Sequence, residues 1–273
     1  MTDRIYRMRG FWFVAALALS LFLPGQGKAQ QAGAKAPAKT PVPAKATAPV
    51  DFTGYWVTVI TQDWRWRMVT PAKGDYAGVP ITAEAKRVAD TWDPAKDQAS
   101  GQACKSYGAP ELMHSPTRLH ITWQDDNTLK VETDYGMQTR LLHFGGWKGS
   151  GASSLQGDSV ATWEIAKSPG LDFGRPPEDG EEKAQPQRYG DIKVITDHLA
   201  AGYLRKNGVP YSANAVMTEY WDLFKEPNGD QRIMLAMRVA DPVYLTTPWV
   251  TVLQFKKEPD NSKWDPSPCN PKW

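Results

Sequence analysis

Strand-like segments recur along the chain from residue 52 onward. The first is the β-branched and aromatic run 52–60. Two meanders with alternating polar and apolar positions follow, and turn residues bound each of their strands. Shorter strand patterns lie between the meanders, at 160–165 and 191–198. The predicted meander strands are 118–123, 129–135 and 138–144 in the first, and 214–224, 232–240 and 249–257 in the second.

One segment has a helical pattern instead. Thr82 can cap a helix, and Ala85, Val88, Ala89 and Trp92 then fall on one face. Nothing in the sequence predicts helices alternating with parallel strands. We therefore predict a mainly β fold, an antiparallel β-barrel or strongly curved sheet of about eight to ten strands with one short helix.

The N-terminal residues 1–29 have the pattern of a secretory signal peptide. Basic residues precede the apolar run 11–23, and Gly27 and Ala29 are small residues suited to cleavage before Gln30. A membrane anchor is the alternative, but the run is shorter than the roughly 20 apolar residues that a spanning helix needs. We expect cleavage, a periplasmic or secreted protein, and no stable membrane span afterwards.

Residues 30–50 are rich in Ala, Pro and Lys and contain no aromatic residue. This composition predicts an extended linker, which leaves 51–273 as a single domain. The linker lysines supply part of the formal net charge of +2. The domain itself is close to neutral, so we expect no nucleic-acid partner.

The chain has two cysteines, Cys104 and Cys269. An even count in an exported protein favours a disulfide, and two separate thiols are the alternative. Their wide separation gives no metal signature. Because phosphate loops and nucleophile elbows are also absent from the sequence, we expect no metal and no cofactor.

The first meander has one apolar and one polar face. The polar face includes His120, Glu132 and His143. It is either a solvated outer surface or the lining of a pocket in which a histidine and a carboxylate perform acid–base chemistry. A metal site would require His120 and His143 to converge across the strand between them.

The second meander places a carboxylate, Glu219, on an apolar face together with Trp221. Such a group must be paired or protonated. It is either an ion-pair partner of Arg140, Arg205 or Arg238, or an acid or base with a raised pKa. With His120 and His143, Glu219 completes the candidate catalytic residues.

Alternating tryptophans and arginines occupy residues 64–67. The guanidinium groups can stack on the indoles and bind an anionic ligand. Alternatively, the tryptophans pack inward while the arginines face water. A second polar pair, Asp197 and His198, points to opposite faces if it lies in a regular strand. The candidate ligand contacts are Trp64, Arg65, Trp66, Arg67, Tyr76, Arg140 and Trp221.

Several segments carry a family resemblance. Gly54-Tyr55-Trp56 resembles the G-x-W motif that opens lipocalin-type barrels, and Asp134-Tyr135 is similar to a second lipocalin motif. Segments across 100–250, among them 104–113 and 207–212, resemble exported, largely uncharacterised bacterial proteins with a lipocalin-like (calycin-like) β-barrel domain. Two departures are an apparent insertion at 166–190 and Tyr220 at a position where the family suggests Arg. The resemblance implies fold and compartment, not a reaction.

Three functions remain open from the sequence. The first is a carrier whose aromatic-lined barrel holds a small, largely apolar or aromatic molecule, such as an aromatic or terpenoid acid, with arginines at its mouth. The second is a cofactor-free isomerase, lyase or hydratase that uses Glu219 or a histidine–carboxylate pair. The third is a structural envelope protein that presents its surface to a partner.

Overall fold

The computed structural model describes residues 42–166 and 189–272. The predicted signal peptide, most of the linker and most of the 166–190 insertion therefore lie outside the described residues. The helices are α1 (Ala44–Thr47), α2 (Trp64–Arg67), α3 (Ala83–Asp90), α4 (Pro94–Ala99) and α5 (Ala109–Leu112). The strands are β1 (Gly54–Val59), β2 (Arg118–Asp125), β3 (Thr128–Thr133), β4 (Thr139–His143), β5 (Asp158–Ala166), β6 (Tyr189–Asp197), β7 (Gly202–Tyr203), β8 (Pro210–Tyr211), β9 (Val216–Lys225), β10 (Gln231–Ala240) and β11 (Trp249–Glu258).

Nine strands close into a barrel in the order β1-β11-β10-β9-β6-β5-β4-β3-β2, while β7 and β8 form a separate two-stranded sheet. This confirms the predicted mainly β barrel. Two details differ. β4 and β5 pair in parallel, because the connection 144–157 is long enough to return the chain to the same end of the barrel. The described residues also contain five short helices rather than one.

The barrel interior is filled by side chains. Alternate residues of each strand point inward, and those of the second meander include the apolar face predicted from the sequence. The inward side chains interdigitate as a packed core rather than enclosing a ligand chamber. Those that are 0 % exposed include Trp56, Leu119, Ile121, Val131, Leu142, Val194, Trp221, Ile233, Leu235, Leu253 and Phe255.

The end of the predicted linker packs against one end of the barrel. The backbone N–H of Ala44 donates to Asn127 Oδ1 at 2.8 Å, and its carbonyl accepts from Trp163 Nε1 at 3.0 Å. Lys45 N–H donates to the Asp126 carbonyl at 3.0 Å. α1 thus belongs to the same compact unit as the barrel. Small Ala44 fits among aromatic side chains, which the composition of the linker did not reveal.

The opposite barrel end lies beneath a layer that we call the cover, made of residues 63–115 and 199–215. The cover has its own apolar core, which includes Leu204, Val209 and Tyr211 and meets Met217 and Trp249 at the barrel rim. The cover also contains the helix predicted from the sequence, α3. Its N-cap is as expected, because Thr82 Oγ1 accepts from Ala85 N–H at 3.1 Å.

A disulfide ties the C-terminal tail to the cover. The Sγ atoms of Cys104 and Cys269 are 2.03 Å apart, with Cα atoms separated by 5.1 Å, in agreement with the predicted pair. Tyr107 reinforces this junction, because its hydroxyl donates to the Asn270 carbonyl and accepts from the Asn270 N–H. Within the described ranges, the helices are all too short or too polar to cross a membrane.

Candidate functional site

The Trp–Arg segment forms the short helix α2, and this helix divides its four side chains between water and the cover interior. Asp63 precedes it in the left-handed conformation, with φ 52°, which Asp tolerates better than most residues. Trp64 is 68 % exposed, whereas Arg67 is only 3 % exposed. The helical period places one tryptophan and one arginine on each side, so only part of each alternative from the sequence holds: the Arg65 guanidinium lies 5.1 Å from the centroid of the Trp66 ring, while Arg67 points inward.

Arg67 is buried beneath the cover. Its Nε donates to the His114 carbonyl at 2.7 Å. Its Nη1 and Nη2 have no hydrogen-bond partner among the described residues. Burial lowers the pKa of this guanidinium from its ordinary value, because the buried environment disfavours the charged form relative to water. Two of the three guanidinium nitrogens are therefore available to an acceptor that the described residues do not supply.

Arg205 is a second buried guanidinium and is only 1 % exposed. Its Nη1 donates to the Ala77 carbonyl at 2.6 Å, and its Cζ lies 4.7 Å from the ring centroid of Trp66. Its Nε and Nη2 have no partner within the described part of the chain. Burial lowers the pKa of Arg205 as well. The indole of Trp66 holds the guanidinium plane while leaving these donors open.

Two titratable side chains, Glu111 in α5 and His114 just after it, complete this interior. Glu111 Oε1 accepts from Ser115 Oγ at 3.1 Å. Burial raises the pKa of Glu111 to about 7, against the opposing effect of the nearby cations. Burial lowers the pKa of His114 to about 4, so its imidazole is neutral at pH 7. The His114 ring nitrogens lie 3.8 Å from Glu111 Oε2 and 3.8 Å from Asp63 Oδ2.

Lys206 lies next to Arg205 in the chain and is also buried, at 5 % exposed. Its amine is hydrogen-bonded to the hydroxyl of Tyr135. It lies 3.8 Å from the ring centroid of Tyr135 and 5.1 Å from that of Tyr107. Burial lowers the pKa of Lys206 to about 7, and the charge of Glu111 opposes this shift. Burial also raises the pKa of both tyrosines, which therefore remain protonated.

Positive charge exceeds negative charge in this interior. The basic cluster, as we call it, contains three basic side chains and one buried carboxyl group, with Asp63 partly exposed at its edge. The three basic groups all act electrostatically on Glu111. Buried N–H groups without acceptors are costly, and guanidinium groups match planar anions such as carboxylates. The members of the basic cluster are Asp63, Arg67, Glu111, His114, Arg205 and Lys206.

Glu219 lies elsewhere, inside the barrel. It forms a bidentate ion pair with Arg140 at 2.9 and 2.6 Å, and both side chains are 0 % exposed. Arg140 Nη2 also lies 3.4 Å from Thr196 Oγ1. Of the three arginine partners considered from the sequence, Arg140 is the one in contact. Trp221 shares this interior and is not a member of the basic cluster.

The two candidate histidines lie on the outer face of the barrel and belong to separate groups. His120 Nδ1 is 3.1 Å from Glu132 Oε2, and its ring stacks on Tyr55 at 4.3 Å. His143 stacks on Trp147 at 4.0 Å. The polar face of the first meander is therefore the outer one. Tyr76, in the cover, donates its hydroxyl to Asp90 Oδ1 at 2.8 Å.

A carboxylate–histidine group lies where β6 ends. The possible ligand atoms of Asp158, Asp197 and His198 lie within 4.8 Å of one another. His198 Nδ1 is 2.7 Å from Asp197 Oδ1, although a regular strand would separate these neighbours. The reason is that His198 follows β6 in a left-handed conformation, with φ 50°. Asp158 is already bonded to the N–H groups of Ser150 and Gly151.

Two of the ligand contacts predicted from the sequence lie at the basic cluster. Arg67 is a member of it, and the Trp66 ring packs against its member Arg205. Trp64 and Arg65 face water, and Arg65 pairs with Asp75 at 2.6 Å. The sequence reasoning missed Glu111, His114 and Lys206. The only available signal was that these charged residues lie in two of the segments that carry the family resemblance, or directly beside them.

Comparison with known proteins gives no match to a protein-family model, a curated protein or a solved structure.

Proposed function

We propose that this protein is an exported, lipocalin-like barrel that binds a small organic acid beneath the cover. The observation that carries the proposal is the pair of buried arginines. Arg67 and Arg205 between them present four N–H-bearing nitrogens, namely Nη1 and Nη2 of the first and Nε and Nη2 of the second, that find no acceptor in the described residues. A carboxylate supplies the two oxygens and the negative charge that these donors lack.

The walls of the basic cluster suit a ligand with an apolar or aromatic body. Trp66 stacks on Arg205, and the ring of Trp249 lies 5.2 Å from that of His114. Ligand sites of this kind combine aromatic walls with a few placed polar groups. We keep the ligand class expected from the sequence, a small and largely apolar or aromatic molecule. We propose a site beneath the cover instead of inside the barrel, because side chains already fill the barrel interior.

Three observations support export. Residues 1–29 have the signal-peptide pattern. Cys104 and Cys269 form a disulfide, a bond typical of oxidising compartments. The resemblance stated above is to exported barrel proteins. A periplasmic or secreted binding protein is therefore our proposal for the setting of this site.

One observation favours a second candidate, a cofactor-free enzyme at the same cluster. Glu111 and Lys206 both have pKa values shifted to about 7 by burial. Acid–base catalysis works best with groups whose pKa lies near the working pH. This alternative assigns proton transfer to Glu111 rather than to Glu219, which is fully engaged by Arg140.

Thermal unfolding in the presence of carboxylates tests the binding proposal. Benzoate and acetate are compared with chloride at equal ionic strength. We expect benzoate to raise the Tm in a concentration-dependent manner, because a ligand that binds only the folded state stabilises it. Arg67→Met should abolish the shift. Arg65→Met is the matched control, since Arg65 lies on the same helix but faces water, and it should leave the shift intact.

The stability of the unliganded variants adds a second readout. Removing a buried charge that lacks acceptors relieves a desolvation cost, so Arg67→Met should unfold at the same or higher urea concentration than the wild type without ligand. A site built for a ligand combines this gain in stability with a loss of binding. If no carboxylate shifts the Tm of the wild type, or if both arginine variants retain the shift, the proposal is wrong.

A further inference from the structure

The cover contains a cavity that is separate from the basic cluster. It has a volume of about 250 Å³, which is below the roughly 300–1,000 Å³ typical of pockets for drug-sized ligands. α3, α4 and the β7–β8 sheet contribute to its wall, and none of the described lining residues is a member of the basic cluster. The cavity therefore suits a small molecule, about one ring in size, at a second site.

Four aromatic side chains line this cavity, namely Trp92, Tyr203, Tyr211 and Tyr244. Trp92 and Tyr244 are partly exposed, so a ligand can reach their rings. Trp92 packs directly on the backbone of Gly208, because a Cβ atom at Gly208 would lie only 2.3 Å from the Trp92 Cβ. This close contact holds the tryptophan in place. Trp92 therefore offers the cavity a fixed apolar face.

Positive and negative charges balance along the cavity wall. Asp93 and Asp97 carry the negative charges, and Lys96 and Lys105 carry the positive ones. Asp97 is 9 % exposed and accepts from the Tyr203 hydroxyl at 3.1 Å, which leaves further lone pairs on its carboxylate. Lys105 Nζ lies 4.7 Å from the centroid of the Tyr203 ring, so a lysine already takes the cation position on that ring. An ion of either sign would meet charges of its own sign here. The balance favours a neutral ligand that both donates and accepts hydrogen bonds.

A buried hydroxyl without a partner lies at the wall of the same cavity. Tyr211 is 0 % exposed, and its hydroxyl has no hydrogen-bond partner among the described residues. Tyr211 pairs with Gly202 across the β7–β8 sheet. A Cβ atom at Gly202 would lie 2.5 Å from the hydroxyl oxygen, so this oxygen lies against a residue that also lines the cavity. Because an unpaired buried hydroxyl is costly, the site gains from a ligand that supplies a partner.

We propose that this cavity binds a neutral hexopyranose. The C–H groups of a sugar ring pack on the electron-rich faces of aromatic rings, which Trp92 and Tyr244 supply. Sugar hydroxyls can donate to Asp97 and accept from Lys96, and one of them can pair with the Tyr211 hydroxyl. The inference goes beyond the proposed function and does not depend on it, because the basic cluster and this cavity share no residue.

Saturation-transfer NMR on the purified protein tests this inference. The probes are the methyl glycosides of glucose, galactose and mannose, compared with tetramethylammonium as an organic cation. We expect at least one glycoside to receive saturation, most strongly at its ring C–H groups, and tetramethylammonium to receive none. Trp92→Leu should abolish the transfer. Trp64→Leu is the matched control, because Trp64 is 68 % exposed on α2 and lies outside the cavity, and it should leave the transfer intact.

Tyr211→Phe keeps the ring and removes only the unpaired hydroxyl, so this variant should fold even if Trp92→Leu does not. We expect it to weaken binding of the glycoside about 2–10-fold, the effect of losing one hydrogen bond, and to unfold at the same or higher urea concentration without ligand. Tyr220→Phe, on the outer face of the barrel, should change neither. If none of the glycosides receives saturation from the wild type, or if Trp92→Leu and Tyr211→Phe both bind the glycoside as the wild type does, the inference is wrong.

Discussion

Arg140 and Glu219 form a bidentate ion pair inside a largely apolar barrel. Their hydrogen bonds measure 2.9 and 2.6 Å, and neither side chain reaches solvent. Thr196 Oγ1, 3.4 Å from Arg140 Nη2, lies between this pair and Ser159. The pair joins β4 to β9 across the interior, so it links the first meander to the second.

Breaking this pair on one side should destabilise the protein strongly. Glu219→Gln or Arg140→Met leaves one uncompensated group in the barrel, and such losses cost about 3–5 kcal/mol. The double variant Arg140→Met/Glu219→Met should recover much of that loss, because both charges are gone. Urea unfolding measures all three. Glu164→Gln, at the exposed ion pair with Lys193, is the control and should change the free energy of unfolding by less than about 1 kcal/mol.

The pH dependence of stability should reveal Glu111. Its folded pKa of about 7 lies above the ordinary value of 4.5 for a glutamate, so between these values the folded state binds more protons. Stability from Glu111 is therefore present below the unfolded pKa and is lost as the pH rises towards 7. His114, with a pKa lowered to about 4 from 6.5, acts in the opposite direction, because its folded form binds fewer protons between pH 4 and 6.5.

The two effects oppose each other over pH 4.5–6.5, so removing one should unmask the other. In Glu111→Gln, the free energy of unfolding should rise with pH across this window more steeply than in the wild type, by up to about 1.4 kcal/mol per pH unit. Urea unfolding at a series of pH values measures the slope. Glu84→Gln, an exposed carboxylate on α3, should leave the wild-type slope unchanged. An equal slope in Glu111→Gln would contradict the assignment.

The disulfide should make a large contribution to stability. Cys104 and Cys269 are separated by 165 residues, and closing so long a loop stabilises by up to about 5 kcal/mol in the chain-entropy model. Cys104→Ser/Cys269→Ser should unfold at a markedly lower urea concentration. Thiol labelling of the unreduced protein checks the bond itself. Two reactive cysteines in the unreduced protein would show that the pair does not form.

The segment 42–50 should close one barrel end. Its deletion removes the three hydrogen bonds made by Ala44 and Lys45, worth roughly 1 kcal/mol each. It also uncovers aromatic side chains around Trp163. We therefore expect a loss of about 3 kcal/mol or more and new binding of a hydrophobic dye. Deletion of 30–41 is the control and should do neither. Full stability without 42–50 would show that α1 is dispensable.

Much of the barrel was predictable because successive side chains of a strand point alternately to the two faces of the sheet. The second meander shows this well, since Glu219, Trp221 and Leu235 fall on the inner face as the alternation indicated. The parallel pairing of β4 with β5 was not predictable, because the 144–157 connection contains no helical pattern. α1 was missed for a related reason, since its packing depends on distant aromatic residues and not on its own sequence.

The basic cluster could be predicted only in part. The sequence indicated Arg67 and Arg205 as possible functional residues, but it did not indicate that they are buried. The burial of Arg67 depends on the left-handed Asp63 before α2, and that of Arg205 depends on the fold of the cover. Glu111, His114 and Lys206 have no periodic pattern around them. Long-range packing brings the members of the basic cluster together from three separate segments, and no local pattern in the sequence predicts that these segments are neighbours in the fold.

The unmet donors of Arg67 and Arg205 have a consequence for the lifetime of the protein. On the proposed function, the empty form carries a desolvation cost that the filled form does not, so ligand shifts the equilibrium away from opened states. Proteases cut transiently opened chains in proportion to their population. The abundance of the protein should therefore follow the supply of its ligand, and the buried arginines would couple turnover to occupancy without any further regulator.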